Sequence, residues 1–398
     1  MQTFTGREYL KIDIANNYGL DKLTWHDRLD WFDRHETQLR ALVSHAKEPA
    51  LFYAGLKAWE DVKAGKPIGY MISLDATSSG LQLLAALTGD FKAASICNVV
   101  NTGNRENAYQ AVYRRMLNII KDTSKIDPDD VKQAIMTSLY GSKAVPKDVF
   151  GEGELLNVFY DVMDSSAPGA WELNQMFLAI WDPAEIEYQW VLPDNFHVHV
   201  KVMDQVKETV HFLNRPYDVF YKVNQPIAEG RSLGANTIHS IDGMIVRELT
   251  RRCKYDPAEI GRVRFALKHG GGTDLITEND EMVETLWKHY ERTGYLSARI
   301  LSHLNSDNIG RTKKAEIQEL VDSLPEKPFD VVSIHDCFRV LPHYGNDLRK
   351  QYNLQLQLIA KSELLSDLMS QLVQRKVTVH KLDPRLWMRA AHADYALS

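Results

Sequence analysis

Two aspartates follow short apolar segments near opposite ends of the chain, and they are the residues best suited to chemistry. Asp75 ends the segment GYMISLD at residues 69–75, and Asp336 follows FDVVSI at residues 329–334. A buried carboxylate is costly unless a cation or a basic group lies opposite it. Two carboxylates at neighbouring strand ends suit a pair of Mg²⁺ ions that activate an attacking oxygen and stabilise a leaving one. Aspartates at strand ends are also common turn formers, so a purely structural explanation stays open.

The segment SKIDPDDVKQAIMTSLYGS, between the two aspartates, predicts a helix with one buried face. Asp127 is suited to the N-cap and Pro128 to the first helical position. Val131, Ile135 and Leu139 recur at helical spacing, which predicts that they anchor the helix in a core.

A second stripe on the same predicted helix could bind a nucleotide. Lys132, Met136 and Tyr140 lie one residue beyond the buried stripe, and Gly141 follows directly. A lysine can meet phosphates, while a flat apolar side chain and a tyrosine can support a base and a sugar. An amphipathic helix with a lysine extended toward water and a glycine after its end explains the same residues without a ligand.

Hydrophobic periodicity predicts the elements that would position these residues. The predicted elements are helices within 7–60, a strand at 69–75, helices at 79–88 and 104–121, a long β-hairpin at 197–223, a charged helical insertion at 250–328 with a glycine-rich joint HGGGTD, and a strand at 329–334.

Composition is that of an ordinary soluble protein. The chain has 398 residues, 44% hydrophobic and 25% charged, with a formal net charge of −6. This length predicts two or three domain-sized cores or one large catalytic fold with several parts. No membrane-spanning run or signal peptide is visible, and three widely separated cysteines indicate a reducing compartment such as cytoplasm. A nucleic-acid partner would have to be bound by local basic surfaces.

The segments DATSSGLQ, KQAIMTSLYGS and IHDCF, in this order, resemble motifs A, B and C of the single-subunit, bacteriophage-type RNA polymerases. This is the family of phage and mitochondrial transcription enzymes. GLDKL is similar to the segment whose lysine reaches the triphosphate, which indicates Lys22. NAYQAV places Tyr109 at the family's fingers tyrosine, and ANTIHSIDG places His239 at the histidine that meets the minor groove near the growing end. ADYALS resembles the family's aromatic-ended foot, with an extra Ser398.

The resemblance covers nearly the whole chain except 250–328 and implies an α/β (α+β) right-hand polymerase fold. The palm would contain an antiparallel sheet, the fingers would be helical, and the thumb and N-terminal domain of the family would be missing from this chain. The implied division is a helical palm-entry segment at 1–68, palm with motif A at 69–103, fingers with motif B at 104–190, a specificity-type hairpin and the HSIDG segment at 191–249, a helical insertion at 250–328, and palm with motif C and the foot at 329–398.

The function implied by this resemblance is DNA-directed RNA synthesis from ribonucleoside triphosphates. Asp75 and Asp336 would hold two Mg²⁺ ions, with the backbone carbonyl of Ala76 as a further ligand. The RNA 3′-hydroxyl would attack the α-phosphate, with pyrophosphate leaving. Lys132 would bind phosphate and protonate the leaving group, and Tyr140 would select ribose. Met136 and Gly141 complete the expected nucleotide site.

Gly80 bears on the choice between RNA and DNA as product. Related DNA polymerases of the same palm architecture carry a glutamate five residues after the motif A aspartate, where it blocks a ribose 2′-hydroxyl. Gly80 occupies that position here and is expected to leave room for the hydroxyl, which Tyr140 and His239 could recognise. A glycine that merely opens a helix is the structural alternative. The rival functions are a DNA polymerase or primer-extending enzyme, and a non-catalytic subunit that keeps the palm.

Motif B departs from the family pattern at one position. The family carries an arginine four residues before the motif B lysine, and this chain has Pro128 there. Lys125, Lys22 and Arg105 are the candidates to replace that contact with the triphosphate, and the sequence does not choose among them.

A chain without a thumb should bind its template weakly, because affinity for nucleic acid depends heavily on cationic contacts. We therefore expect a smaller polymerase subunit that supplies the thumb and N-terminal domain. Such a split resembles the larger subunit of the heterodimeric middle-gene RNA polymerases of tailed phages that carry a giant virion polymerase. The other expected partners are a DNA template and an RNA product, with an accessory promoter-melting or single-stranded-DNA-binding protein as a further candidate and no membrane. The expected location is the cytoplasm of an infected bacterial host.

Two basic regions are candidates for contacts with DNA. Lys207, His211 and Arg215 lie in the predicted hairpin and could reach base edges or phosphates. His197 and His199 share one strand face but lack the further ligands of a zinc site. The insertion and the segment before it contain a basic concentration that could track DNA or form a solvated helical face: Arg247, Arg251, Arg252, Lys254, Arg262, Arg264 and Lys268.

Overall fold

The chain folds into a mixture of helices and short strands, as its periodicity predicted. The structure is a computed structural model and describes residues 1–122, 126–228, 230, 232–271 and 278–398. The strands are β1 (Ile72–Asp75), β2 (Glu187–Val191), β3 (His197–Lys201), β4 (Met203–Phe212), β5 (Arg215–Asn224), β6 (Val332–Ile334) and β7 (Cys337–Val340). The helices are α1 (Gly6–Ala15), α2 (Trp25–His35), α3 (Pro49–Lys63), α4 (Ser79–Thr88), α5 (Phe91–Ile96), α6 (Ala108–Ile120), α7 (Pro128–Ser138), α8 (Ala144–Phe150), α9 (Glu154–Ser166), α10 (Pro168–Ala179), α11 (Ser232–Cys253), α12 (Pro257–His269), α13 (Glu278–Thr293), α14 (Lys314–Asp322), α15 (Gly345–Lys361), α16 (Leu364–Leu372) and α17 (Trp387–Ala390).

A three-stranded sheet joins distant parts of the chain. Its order is β1-β7-β6, and both pairings are antiparallel. Ile72 and Leu74 point into the main core, and so do Phe338 and Val340 on β7. The strands predicted at 69–75 and 329–334 correspond to β1 and β6, and each begins about three residues later than predicted. The strands are short because only residues close to the turn between β6 and β7 form backbone pairs with a neighbouring strand.

The N-terminal helices α1, α2 and α3 surround a small core of their own. Thr5 and Glu8 form a reciprocal capping box at the start of α1, which satisfies two amide groups that would otherwise lack partners. Leu10, Ile14, Phe32 and other apolar side chains are fully enclosed between these helices. The helical prediction for 7–60 is confirmed, although a ten-residue 3₁₀ segment follows α2.

The predicted start of α7 is confirmed. The side chain of Asp127 accepts a hydrogen bond from the amide of Asp129, and Pro128 occupies the first turn. Val131, Ile135 and Leu139 are buried, as their spacing predicted.

The region predicted as one long hairpin is two separate hairpins. The HVHVK residues form β3, which pairs with β2, whereas β4 and β5 form a second two-stranded ribbon. The prediction missed β2, although its sequence EYQWV alternates polar and apolar residues and buries Tyr188 and Trp190. The break lies between β3 and β4 at Val202, whose side chain is buried and whose amide bonds to the carbonyl of Ile186.

A third hydrophobic core lies within the segment predicted as an insertion. Helices α12, α13 and α14 enclose it with buried apolar side chains such as Val263, Leu286 and Ile317. Part of the predicted glycine-rich joint, residues 272–274, lies outside the described residues. Arg252 ties this core to the rest of the molecule, because its buried guanidinium donates to Gln351 and to Ser323.

Candidate active site

The two aspartates singled out in the sequence meet in one cleft. Asp75 ends β1 and lies opposite Cys337 in the ladder, and Asp336 immediately precedes Cys337 in the turn between β6 and β7. The amide of Ala76 donates to the carbonyl of Asp336 at 3.1 Å, which ties the two segments together. His335 adopts a left-handed φ of 56° in this tight turn. Both carboxylates line a cleft of about 480 Å³.

Burial and the neighbouring acids raise the pKa of Asp75 above its ordinary value. Burial is the largest cause, and repulsion from Asp336 and Asp21 adds to it, while a hydrogen bond from Cys337 and the charge of Lys22 act in the opposite direction. The repulsion shows that the carboxylates of Asp75 and Asp336 lie within electrostatic reach of each other.

This arrangement fits a hard divalent cation held by oxygen atoms. Mutual repulsion between the two carboxylates would be relieved by a cation between them, and Mg²⁺ binds through one or two carboxylates together with water and phosphate oxygens. Ala76 lines the same cleft beside Asp75. Across the residues that the structure describes, no cluster of three or more His, Cys, Asp or Glu side chains is arranged for a metal. An ion here would therefore depend on Asp75, Asp336, backbone oxygen and substrate.

The last residues of the chain form one wall of the cleft. Asp75 and Ser398 exchange two backbone hydrogen bonds at 2.9 and 3.3 Å, and the amide of Thr77 donates to Ala396. Gln82 on α4 donates a further hydrogen bond to the carbonyl of Ala396 at 2.9 Å. The segment ADYALS is thus fixed directly beside the motif A strand.

Lys22 also lines this cleft, and a buried arginine holds its loop in place. Lys22 is 65% exposed and lies 2.8 Å from the carboxylate of Asp21. The guanidinium of Arg28 is fully buried and donates to the carbonyls of Asp21 and Leu23, at 3.0 and 2.8 Å, and to Asn16. Arg28 was not recognised in the sequence, where HDRLDW reads only as part of an amphipathic helix.

The predicted nucleotide stripe on α7 is largely open to solvent. Lys132 and Met136 are exposed, and Tyr140 is half-buried beyond the end of the helix. The ammonium of Lys132 lies 5.8 Å from the ring centre of Tyr109, so the structure brings two predicted substrate residues together. Gly141 has a φ of 88°, a backbone conformation that favours glycine.

Tyr140 connects Gly80 with His239. The rings of Tyr140 and His239 have centroids 5.0 Å apart. A Cβ atom at position 80 would lie only 2.3 Å from the hydroxyl oxygen of Tyr140. The space beside Gly80 is therefore occupied by the hydroxyl of Tyr140. The sequence instead predicts a space that is open for a ribose hydroxyl.

Asp242 is an acidic residue of this site that the sequence reasoning missed. Burial raises its pKa to about 6, repulsion from Asp336 adds to this shift, and His335 opposes it. Burial, followed by the charge of Asp242, also raises the pKa of Tyr140 to about 12. The sequence did contain a signal for Asp242, because this residue is three positions after the predicted site residue His239 and therefore shares one face of α11 with it.

The ribbon formed by β4 and β5 does not present the predicted basic side chains together. Lys207 is 2.8 Å from Asp218, which lies diagonally across on β5, opposite Thr209. Lys207 and His211 share one face, whereas Arg215 pairs with Phe212 and lies on the opposite face. That opposite face is largely apolar and solvent-facing, with Val206, Val210, Phe212, Tyr217, Val219, Tyr221 and Val223. Residues 203–224 contain three basic and three acidic side chains, so the ribbon has no excess of positive charge.

Much of the predicted basic concentration has structural partners. Arg247 and Arg251 both bind the buried carboxylate of Asp194, at 2.6 and 2.9 Å. Arg262 donates to backbone carbonyls, and Lys254 pairs with Asp330 at 2.7 Å. Of the two histidines on β3, His199 contacts Glu187 at 2.6 Å. These contacts favour the structural explanation for most of this group.

Part of the chain is similar to a family of known proteins. Residues 3–155 match the family model of DNA-dependent RNA polymerases. This stretch contains the GLDKL segment and motifs A and B, and the match confirms the resemblance to the phage and mitochondrial single-subunit enzymes drawn from those motifs.

Individual relatives are RNA polymerases of mitochondria and of a phage, enzymes that act as nucleotidyltransferases. The mitochondrial DNA-directed RNA polymerase of Neurospora crassa is 29% identical over 164 residues, which is 34% of this chain and 12% of the relative. The DNA-directed RNA polymerase of Pseudomonas phage phiKMV is 30% identical over 138 residues, 31% of this chain and 16% of the relative. A probable DNA-directed RNA polymerase of Gelasinospora is 21% identical over 389 residues, 89% of this chain and 42% of the relative. The chain thus spans well under two thirds of the length of these relatives.

None of the described helices combines the length and apolar character needed to span a bilayer.

Proposed function

We propose that this chain is the catalytic part of a DNA-directed RNA polymerase that extends RNA with ribonucleoside triphosphates. One observation carries the proposal: Asp75, at the end of β1, and Asp336, in the turn between β6 and β7, line one cleft with Lys22. The palm would be the sheet β1-β7-β6 with the surrounding helices, and the fingers would be residues 104–190. The chain's relatives, by name, carry out this class of reaction.

The reaction joins the RNA 3′-oxygen to the α-phosphorus of the incoming nucleotide. The bond from that phosphorus to the oxygen bridging to the β-phosphate breaks, pyrophosphate leaves, and the proton of the 3′-hydroxyl passes to solvent. Two Mg²⁺ ions, held by Asp75, Asp336 and the carbonyl of Ala76, would supply charge stabilisation at the attacking and leaving oxygens.

The remaining roles fall to side chains around the cleft. Lys22 orients the triphosphate, and Lys132 binds phosphate and donates a proton to the departing pyrophosphate. Tyr140, with His239, contacts the ribose and favours ribonucleotides. The support for this grouping is the contact of Tyr140 with His239 and with Gly80.

We further propose that a second, smaller polypeptide completes the enzyme. The support is the acidic balance of the chain, which has a formal net charge of −6, because affinity for a nucleic-acid backbone depends heavily on cationic contacts. The second chain would supply the thumb and the N-terminal domain, so that the complex holds the DNA template and the RNA product. An accessory protein that melts the promoter or binds single-stranded DNA fits the same scheme. The phage relative supports action in the cytoplasm of an infected bacterial host, while the mitochondrial relatives leave an organelle as the alternative.

The test is RNA extension on a preassembled RNA–DNA scaffold with purified chain, alone and with candidate second chains. Wild-type protein with the four NTPs should extend the RNA, and Asp336→Asn should abolish extension. Asp330→Asn, an exposed acid six residues earlier, is the matched control and should retain activity. Clear preference for dNTPs would instead support a DNA polymerase, and unchanged synthesis by Asp336→Asn would support a non-catalytic palm. Full processive synthesis by the isolated chain would exclude the need for a partner.

A further inference from the structure

Arg105 brings a positive charge without a nearby carboxylate into the active cleft. It lies in the loop before α6, is half-buried, and lines the cleft together with Asp75 and Asp336. Within the described part of the chain, no carboxylate oxygen lies within 4.0 Å of its guanidinium, whereas the neighbouring Lys22 has Asp21 at 2.8 Å. A partly desolvated charge is costly without an ionic partner.

The groups around Arg105 leave its positive charge without a close negative partner, which favours binding of an anion. Burial lowers the pKa of Arg105, and only the more distant charges of Asp21 and Tyr395 oppose that shift. Burial lowers the pKa of Arg28 to about 9, and repulsion from Arg105 is the next cause. Two guanidinium groups therefore repel each other beside the cleft. An anion bound at Arg105 would offset both effects.

The hydrogen bonds of Arg105 leave its outer edge available. Nε donates to the hydroxyl of Ser398 at 3.3 Å, which orients the side chain. In the part of the chain that the structure describes, neither Nη atom has a hydrogen-bond partner. Two parallel N–H donors on a planar group match the oxygens of a phosphate.

We propose that Arg105 binds the polyphosphate end of the incoming nucleotide and is the last residue in contact with pyrophosphate when this product leaves. This inference rests on the proposed function and names the residue that performs the task of the arginine missing at Pro128. Pro128 is exposed in the first turn of α7. Of the three candidates named from sequence, Lys125 lies outside the described residues and Lys22 already has Asp21 as partner. Arg105 alone among the described two combines burial, cleft position and unused donors.

The experiment measures binding of ATP, AMP and inorganic pyrophosphate by calorimetry, with Ca²⁺ present to prevent turnover. Arg105→Gln should weaken binding of ATP and pyrophosphate at least about tenfold, as expected for loss of charge-assisted hydrogen bonds. Binding of AMP should stay unchanged. Arg105→Lys keeps the charge but loses the two-donor geometry, so an intermediate loss is expected. Arg114→Gln removes an exposed arginine of α6 and is the matched control.

A purely structural role for Arg105 predicts a different pattern. Loss of the contact with Ser398 would then matter most, so Ser398→Ala should reproduce the effect of Arg105→Gln. An unchanged ratio of ATP to AMP affinity in Arg105→Gln would overturn the proposal, and so would wild-type protein that binds neither ATP nor pyrophosphate. If Arg105→Gln does not fold, Arg105→Lys decides by the same ratio. Binding is measured apart from synthesis, so failure of the proposed function would appear separately, as unchanged RNA extension by Asp336→Asn.

Discussion

The contact between Gly80 and Tyr140 predicts a strong coupling between these two positions. A methyl group at position 80 would lie 2.3 Å from the hydroxyl oxygen of Tyr140 and 3.0 Å from the ring carbon that carries it. Overpacking of this kind costs about 1–3 kcal/mol. Replacing glycine by alanine inside a helix contributes about 0.5–1 kcal/mol in the other direction. Gly80→Ala should therefore destabilise the protein by about 0–2.5 kcal/mol.

Removal of the hydroxyl should relieve most of this cost. In Tyr140→Phe the nearest remaining atom is the ring carbon at 3.0 Å, which requires a shift of only a few tenths of an ångström. Gly80→Ala should then be close to neutral or stabilising. The double-mutant cycle should give a coupling of about 1–2 kcal/mol, since the two residues are in direct contact.

The assay is thermal unfolding of the four proteins of the cycle. Gly261→Ala is the matched control, because Gly261 lies in the middle of α12 and a methyl group there would have nothing within 4 Å. It should raise the melting temperature through helix propensity alone. An equal loss of stability for Gly80→Ala in both backgrounds would refute the argument, because it would show that the hydroxyl is not what excludes the side chain.

Three further predictions follow from buried or exposed polar groups. Arg28→Gln should expose the loop that carries Lys22, because the carbonyls of Asp21 and Leu23 lose buried donors worth about 1–3 kcal/mol each. Hydrogen exchange should accelerate at residues 21–23, and unchanged protection of these amides would contradict the prediction. Burial raises the pKa of Asp13 from 3.8 to about 6, so its folded carboxyl binds a proton more tightly than the unfolded one. The resulting stability is complete below about pH 4 and is lost as pH rises through 6; wild type should therefore gain melting temperature between pH 7 and 5 relative to Asp13→Asn, and parallel profiles would argue against it. The exposed pair Lys207 and Asp218 should show no measurable coupling in a double-mutant cycle of unfolding, and a clear coupling would mean that the ribbon is shielded from water.

The sequence predicted the positions of the chemically important residues better than their contacts. Asp75 and Asp336 could be singled out because each ends or follows a short apolar run, and motif order supported their convergence. The start of α7 followed from Asp127 and Pro128, since capping is a local property. Local signals of this kind depend on a few neighbouring residues and survive in any tertiary setting.

Contacts between distant segments could not be predicted from local signals. Nothing in the local sequence indicates that the hydroxyl of Tyr140 should fill the space above Gly80, since the two residues belong to different segments of the chain. Asp242 escaped notice because an acid in a helix is ordinary until a second acid, Asp336, is placed beside it. The division of the predicted hairpin at Val202 likewise depends on β2, whose pairing with β3 is a tertiary event.

The strand that carries Asp75 has consequences for the order of assembly. Its neighbours in the ladder, β7 and residues 396–398, come from the end of the chain. During synthesis, Asp75 therefore leaves the ribosome long before Asp336 and residues 396–398 have been made. The N-terminal helices with their own small core can form during synthesis, whereas the proposed cation site can form only after residues 336–398 have been made. Termination before residue 336 should thus yield fragments that are partly folded and lack the proposed site.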